Sequence, residues 1–71
     1  MELSGKLSGQ ELQVFELIGA GSNPAQIAAI MDVEVTTMDT YRSRIRERLN
    51  LKDAKELRPE AIRWNLAKST R

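Results

Sequence analysis

Val35 to Leu49 runs VTTMDTYRSRIRERL. At about 100° per residue, Met38, Tyr41, Ile45 and Leu49 fall in one narrow stripe, while Thr36, Asp39, Thr40 and Ser43 fall on the opposite side. The pattern predicts a helix over residues 35–49 with an apolar back and a strip of short polar side chains at the front. Its arginines form two rows: Arg42 and Arg46 are one turn apart on one flank, and Arg44 and Arg48 on the other. A helix lying in the major groove of duplex DNA meets phosphates along both walls and base edges on the floor. Long cations on the flanks and small hydrogen-bonding groups between them match that setting. Arginines on a solvated helix that serve only solubility are the competing reading, and the flanking sequence has to decide between the two.

Ser8 followed by Glu11 is a capping box, with Leu7 and Leu12 placed to close a hydrophobic staple over it. A first helix is expected over about residues 9–20, burying Leu12, Val14, Phe15 and Ile18, with Gly21 taking the left-handed conformation that ends it. Asn23 and Pro24 supply an N-cap and a proline at the first helical position, where the missing N–H costs nothing. The second helix is short, residues 24–31, with Ile27, Ile30 and Met31 as its apolar stripe and Ala28 and Ala29 leaving it thin enough for a neighbouring helix to approach closely. Asp32 to Glu34 then turns directly into the basic helix. A short helix, a tight turn and a longer helix with a polar front make a helix-turn-helix.

Beyond Leu49, Asn50 is expected to be a left-handed terminator and Asp53 the next N-cap. A helix could start at 54, but Pro59 removes a backbone donor and disfavours helical angles at Arg58, so a short turn and then a last helix over about residues 59–67 are expected. Ala61, Ile62 and Leu66 should face inward. Trp64 fits either edge packing or an exposed self-association surface. Residues 1–6 read as a tail or linker remnant and 68–71 as a frayed end, leaving one domain over 7–67.

Seventy-one residues, 41% of them hydrophobic, suit a single small core. No cysteine is present to form a disulfide or thiolate metal site, and no histidine to act as the usual general base or zinc ligand. Catalysis is therefore not expected, nor any cofactor or metal. No long apolar run suggests a secretion signal or a membrane span, and a cytoplasmic location is expected. The net charge is only +1, but it is unevenly spread. Residues 1–34 carry Lys6 against Glu2, Glu11, Glu16, Asp32 and Glu34, whereas the second half holds ten of the eleven basic groups. That asymmetry suggests a polyanion held by the second half, although the total falls short of the strongly basic profile that identifies a nucleic-acid binder outright.

From Leu7 to Trp64 the chain resembles the LuxR/FixJ-type DNA-binding domain at the C-terminus of NarL-like bacterial response regulators and quorum-sensing receptors. The resemblance is carried by Leu7-Ser8 with Glu11 and Val14, by Ile18 to Gly21, and by Ile27-Ala28. It continues through Thr37-Met38, Tyr41-Arg42-Ser43 and Ile45, then Leu49 to Leu51 and Glu56-Leu57. The run DTYRSR is most similar to the GacA-like branch, in which tyrosine stands where many relatives have histidine. The resemblance implies an all-α, four-helix LuxR-type helix-turn-helix domain whose third helix enters the major groove.

It further implies base contacts from Asp39, Thr40 and Ser43, and backbone contacts from Asn23, Thr36, Thr37, Tyr41, Arg42 and Arg44. The two arginine rows add Arg46 and Arg48 to the backbone set. Two copies would pair on an inverted repeat through the last helix, with Ala61, Ile62 and Trp64 at the dimer interface, weakly in isolation. RNA polymerase is a further candidate partner. Three places depart from the family pattern. Asp39 replaces a common basic residue and could accept from cytosine N4 or hold a neighbouring arginine. Glu34 replaces the usual Ser or Thr cap, and Pro59 interrupts the dimer helix. A sigma-factor region 4-like promoter binder and a protein-interaction module that keeps the fold without DNA binding are the alternatives.

Overall fold

The computed structural model describes residues 6–69, the backbone alone at Ser69, and among them there are four α-helices and no strand. They are α1 (Gly9–Gly19), α2 (Pro24–Met31), α3 (Val35–Arg48) and α4 (Leu57–Ser69), with a single 3₁₀ turn at Ala54–Glu56 before the last. Residues 1–5 of the expected 1–6 tail, and the last two residues of the expected frayed end 68–71, lie outside the described part.

Local signals set most of the helix boundaries. Ser8 Oγ accepts from the Glu11 N–H at 3.2 Å while Glu11 Oε1 accepts from the Ser8 N–H at 3.0 Å, which closes the expected capping box. Asn23 and Gln26 form a second box at the start of α2, and Asp53 with Glu56 a third before α4. All three turns after helices use one device, a left-handed residue that lets two N–H groups reach back to orphan carbonyls. Gly21 (φ 94°) does this after α1, with Gly21 N–H to Ile18 O and Ser22 N–H to Leu17 O both at 3.1 Å. Asp32 (φ 58°) and Asn50 (φ 57°) repeat it after α2 and α3, and these short polar side chains tolerate the conformation better than most. A Cβ at Gly21 would meet nothing within 4 Å. Gly21→Ala should therefore cost only the conformational penalty, about 1–2 kcal/mol, read as a fall in Tm without loss of helix content.

The core is formed by Leu7, Val14, Phe15, Ile18, Ile27, Ala28, Met38, Ile45, Leu57 and Ala61. α1 lies at the centre, packed on α4 and α3, and α2 packs against α3. Inward assignments are corrected at Ile62, 39% exposed, and Leu66, 63%, and Ile30 of the α2 stripe is 57% exposed, because each helix carries a wider apolar arc than one neighbour in so small a domain can cover. Leu12 and Met31 are half-buried, packed on the rim of the core. Glu11, expected only as a cap, is buried at 2%.

The last helix is also corrected. It is continuous from Leu57, so Pro59 is its third residue, where no N–H partner exists inside the helix in any case. The 3₁₀ turn feeds directly into it, and Arg58 is helical despite preceding proline. Lys68 is not frayed: its ammonium pairs with Glu16 on α1. Nearby, Asn65 Nδ2 donates to the Glu16 carbonyl at 2.9 Å. A Cβ at Gly19 would lie 2.5 Å from the Ala61 carbonyl oxygen, so α1 and α4 touch backbone to backbone there.

Candidate nucleic-acid interface

α3 is presented to solvent by two fully buried anchors. Met38 and Ile45 lie two turns apart and are both 0% exposed, and Tyr41 and Leu49 pack half-buried beside them. This fixes which face looks outward: Thr36, Thr37, Asp39, Thr40, Ser43 and Arg44 are all exposed. The strip of small polar groups is thus not packed against the body of the domain. Glu34 offers no side-chain hydrogen bond to the first turn of α3, so packing rather than capping holds this helix end.

Within the strip, two local contacts define what is offered to a ligand. Thr40 Oγ1 donates to the Thr36 carbonyl at 3.3 Å, which engages its hydroxyl proton within the helix and leaves the exposed side chain to offer its oxygen as an acceptor. Asp39 lies 3.5 Å from Arg42, one turn on. Of the two roles open to Asp39, the free domain adopts the one in which the carboxylate holds the neighbouring arginine. Both side chains keep solvent access, so the pair is easily exchanged for a phosphate or base edge.

The two arginine rows differ from each other. Arg42 and Arg46 are half-buried and line a cleft with Asp39, Ser43, Ala54 and Leu57, so this row lies against the 3₁₀ turn and the start of α4. A second cleft joins Arg42 to Asn23 at the N-terminus of α2 and to Arg58. Arg58 was not foreseen; it sits beside the proline that made this segment read as a break. In the other row Arg44 is exposed and carries no ion pair among the described residues. Arg48 does not continue that row as a free cation, because its Nε reaches Glu11 Oε1 at 3.1 Å. Tyr41 is similarly engaged, its hydroxyl donating to Gln10 Oε1 at 2.8 Å.

The expected dimer residues divide. Ala61 is 0% exposed and sits against Gly19, so it is core and cannot meet a partner chain. Trp64 is half-buried against the core, beside Phe15 and Leu49, which favours the packing reading over an exposed ring. Ile62 remains on the outer face of α4, with Pro59 and Leu66 beside it and Lys55, Arg58 and Arg63 around it.

No helix among the described residues is long and apolar enough to cross a membrane, and no cluster of three or more carboxylates among them could hold a metal ion. Comparison with curated proteins and with solved structures gave no match. A family model does match, that of GerE, bacterial regulatory proteins of the luxR family, and it covers residues 5–62. That span takes in α1, α2, the turn, α3 and the first half of α4, and the family is one of DNA-binding rather than catalytic domains. Four helices in this order, an outward polar strip on the third and a family match over most of the length lead to one conclusion: the chain belongs to the luxR family of bacterial regulatory proteins, as its helix-turn-helix DNA-binding domain.

Proposed function

We propose that this domain reads specific sequences in duplex DNA as the output module of a bacterial two-component response regulator, with α3 in the major groove and two copies on an inverted repeat. The observation that carries the reading is the outward strip of Thr36, Asp39, Thr40 and Ser43, flanked by Arg42, Arg44 and Arg46 and held from behind by Met38 and Ile45. Asp39, Thr40 and Ser43 are the base-reading residues. Thr36, Thr37, Arg42, Arg44 and Arg46 hold the backbone, with Asn23 at the start of α2, where the helix dipole favours a phosphate. Arg58 joins this set because it lines the same cleft as Asn23 and Arg42.

A single helix reading three or four bases is not specific enough among genomic competitors, so two domains are needed. The outer face of α4, with Ile62 and Leu66, is where the second copy would sit, and the small apolar area there agrees with weak pairing in isolation. The integral packing of α4 on α1 through Gly19 and Ala61 supports this reading over a sigma-factor region 4-like one, which would not need that helix.

Selection of bound duplexes from a random pool supplies a matched site on which the residue roles can be tested. Arg44→Ala should weaken binding to matched and scrambled duplexes alike and lower the slope of log K against log salt by about 0.9, the worth of one phosphate contact. Thr40→Ala or Asp39→Ala should instead reduce discrimination by about 1–3 kcal/mol. Equal losses on matched and scrambled duplexes would remove Thr40 and Asp39 from the base-reading set.

A further inference from the structure

Two side chains of the recognition helix that the sequence places at the DNA backbone are tied instead to the first turn of α1. Tyr41 and Arg48 are seven residues apart, two turns along one stripe of α3. Their partners Gln10 and Glu11 are adjacent at the start of α1. The Glu11 carboxylate is buried, and its Oε1 accepts from both the Ser8 N–H at 3.0 Å and Arg48 Nε at 3.1 Å. One carboxylate oxygen therefore closes the cap of α1 and holds the last turn of α3. The Tyr41 hydroxyl has one proton, and it is directed at Gln10.

We infer that Gln10 and Glu11 are positioning residues for DNA readout: they grip α3 at two points along its length and so set its roll about its own axis, and they withhold Tyr41 and Arg48 from the phosphates. The inference rests on the proposed binding of DNA through α3. Roll is the coordinate that matters for base reading, because a small rotation carries Asp39, Thr40 and Ser43 off the groove floor while leaving the helix folded. Met38 and Ile45 lie nearly on one line along the helix, and of the half-buried side chains beside them Tyr41 is itself one of the two residues held from α1. Gln10 and Glu11 add a hydrogen bond and an ion pair beside that line. The Arg48 charge is offset by Glu11, so its contribution to counterion release is small even where its remaining N–H groups face solvent.

The test compares Arg48→Met, Tyr41→Phe and Glu11→Gln with Arg44→Met, by titrating labelled duplexes over a range of salt concentrations. The duplexes are a site selected by the wild-type chain from a random pool and a scrambled version of it. Glutamine at position 11 keeps the cap, since Gln serves the capping box as Glu does, and removes only the charge that holds Arg48. Arg48→Met should leave the salt slope unchanged, whereas Arg44→Met lowers it by about 0.9; Tyr41 is uncharged, so Tyr41→Phe is read through the affinity ratio alone. All three brace variants should lower the matched-to-scrambled affinity ratio at least about fivefold, the lower limit for one base contact. Glu11→Gln combined with Arg48→Met should do no more damage to that ratio than either alone.

A drop of the slope by Arg48→Met equal to that of Arg44→Met would make Arg48 a phosphate contact and overturn the brace while leaving DNA binding intact. An unchanged affinity ratio in Glu11→Gln would do the same. Failure of the wild-type chain to bind any duplex at low salt would overturn the proposed function itself, and the positioning role with it.

Discussion

Ile45→Ala is expected to remove roughly a third to a half of the chain's stability. Ile45 is fully buried, and with Met38 it is one of two buried side chains on α3. The rest of that helix is polar or charged, its N-terminus has no side-chain cap, and a helix of this length does not persist in water without packing. Truncating a buried isoleucine to alanine removes about 2–5 kcal/mol, and a domain of this size has a total stability of only about 4–11 kcal/mol. Denaturant titration followed by far-ultraviolet circular dichroism should show the unfolding midpoint moved to markedly lower denaturant with the slope unchanged. Ile45→Val, which removes one methylene, should cost about 0.5–1.5 kcal/mol and retain DNA binding. Near-wild-type stability in the alanine variant would mean that α3 is held by something other than its apolar back.

Gly19→Val should separate α4 from α1. The first added carbon would stand 2.5 Å from both the Ala61 carbonyl oxygen and Asn65 Nδ2, and 2.7 Å from the Ala61 carbonyl carbon. The amide of Asn65 can move only by giving up its hydrogen bond to the Glu16 carbonyl, and the backbone of Ala61 cannot move without its helix. Relief therefore requires α4 to retreat, at a cost of about 1–3 kcal/mol for overpacking. That is less any gain from replacing glycine within a helix, which is under about 1 kcal/mol. Each kcal/mol lost lowers Tm by about 4–8 °C in a domain of this size. Trp64, half-buried on α4, should become more exposed and its emission shift to the red. Gly9→Ala is the matching control, since a Cβ there meets nothing within 4 Å and Tm should hardly change.

These two sites also show what could and could not be seen from residues alone. The apolar back of α3 was legible because it depends on spacing within one helix, and the Ser8, Asn23 and Asp53 caps were legible because they depend on neighbours two or three positions away. The left-handed Gly21 and Asn50 belong to the same class. The close approach at Gly19 was not legible, because it depends on Ala61, a partner far along the chain with no local signature. The same holds for Arg48 with Glu11, Tyr41 with Gln10 and Lys68 with Glu16. Each of those residues has an adequate local explanation as a cap, a flank or a tail, and that explanation conceals the tertiary one.

Pro59 was misread for a different physical reason. Proline breaks a helix interior, and Asp53 suggested that the helix had already begun; in fact Asp53 caps a 3₁₀ turn, which delays the α-helix until Leu57 and brings Pro59 into its first turn. Ile62 and Leu66 were turned inward, and Ile30 was placed in one stripe with Ile27, because periodicity reports which side of a helix is apolar, not how much of that side a neighbour reaches. At the interface, the outward strip was visible from the helical wheel alone. The unequal engagement of the arginines was not, since it arises from where α1, the 3₁₀ turn and α4 lie beside α3.

Selection from a random duplex pool with the wild-type chain, followed by salt titration on the enriched sequence, tests sequence-specific binding by α3 most directly. Enrichment of an inverted repeat is expected, with affinity that falls steeply as salt rises and a preference that is lost in Thr40→Ala. Failure to enrich any sequence, together with no duplex bound even at low salt, would contradict DNA reading by this surface.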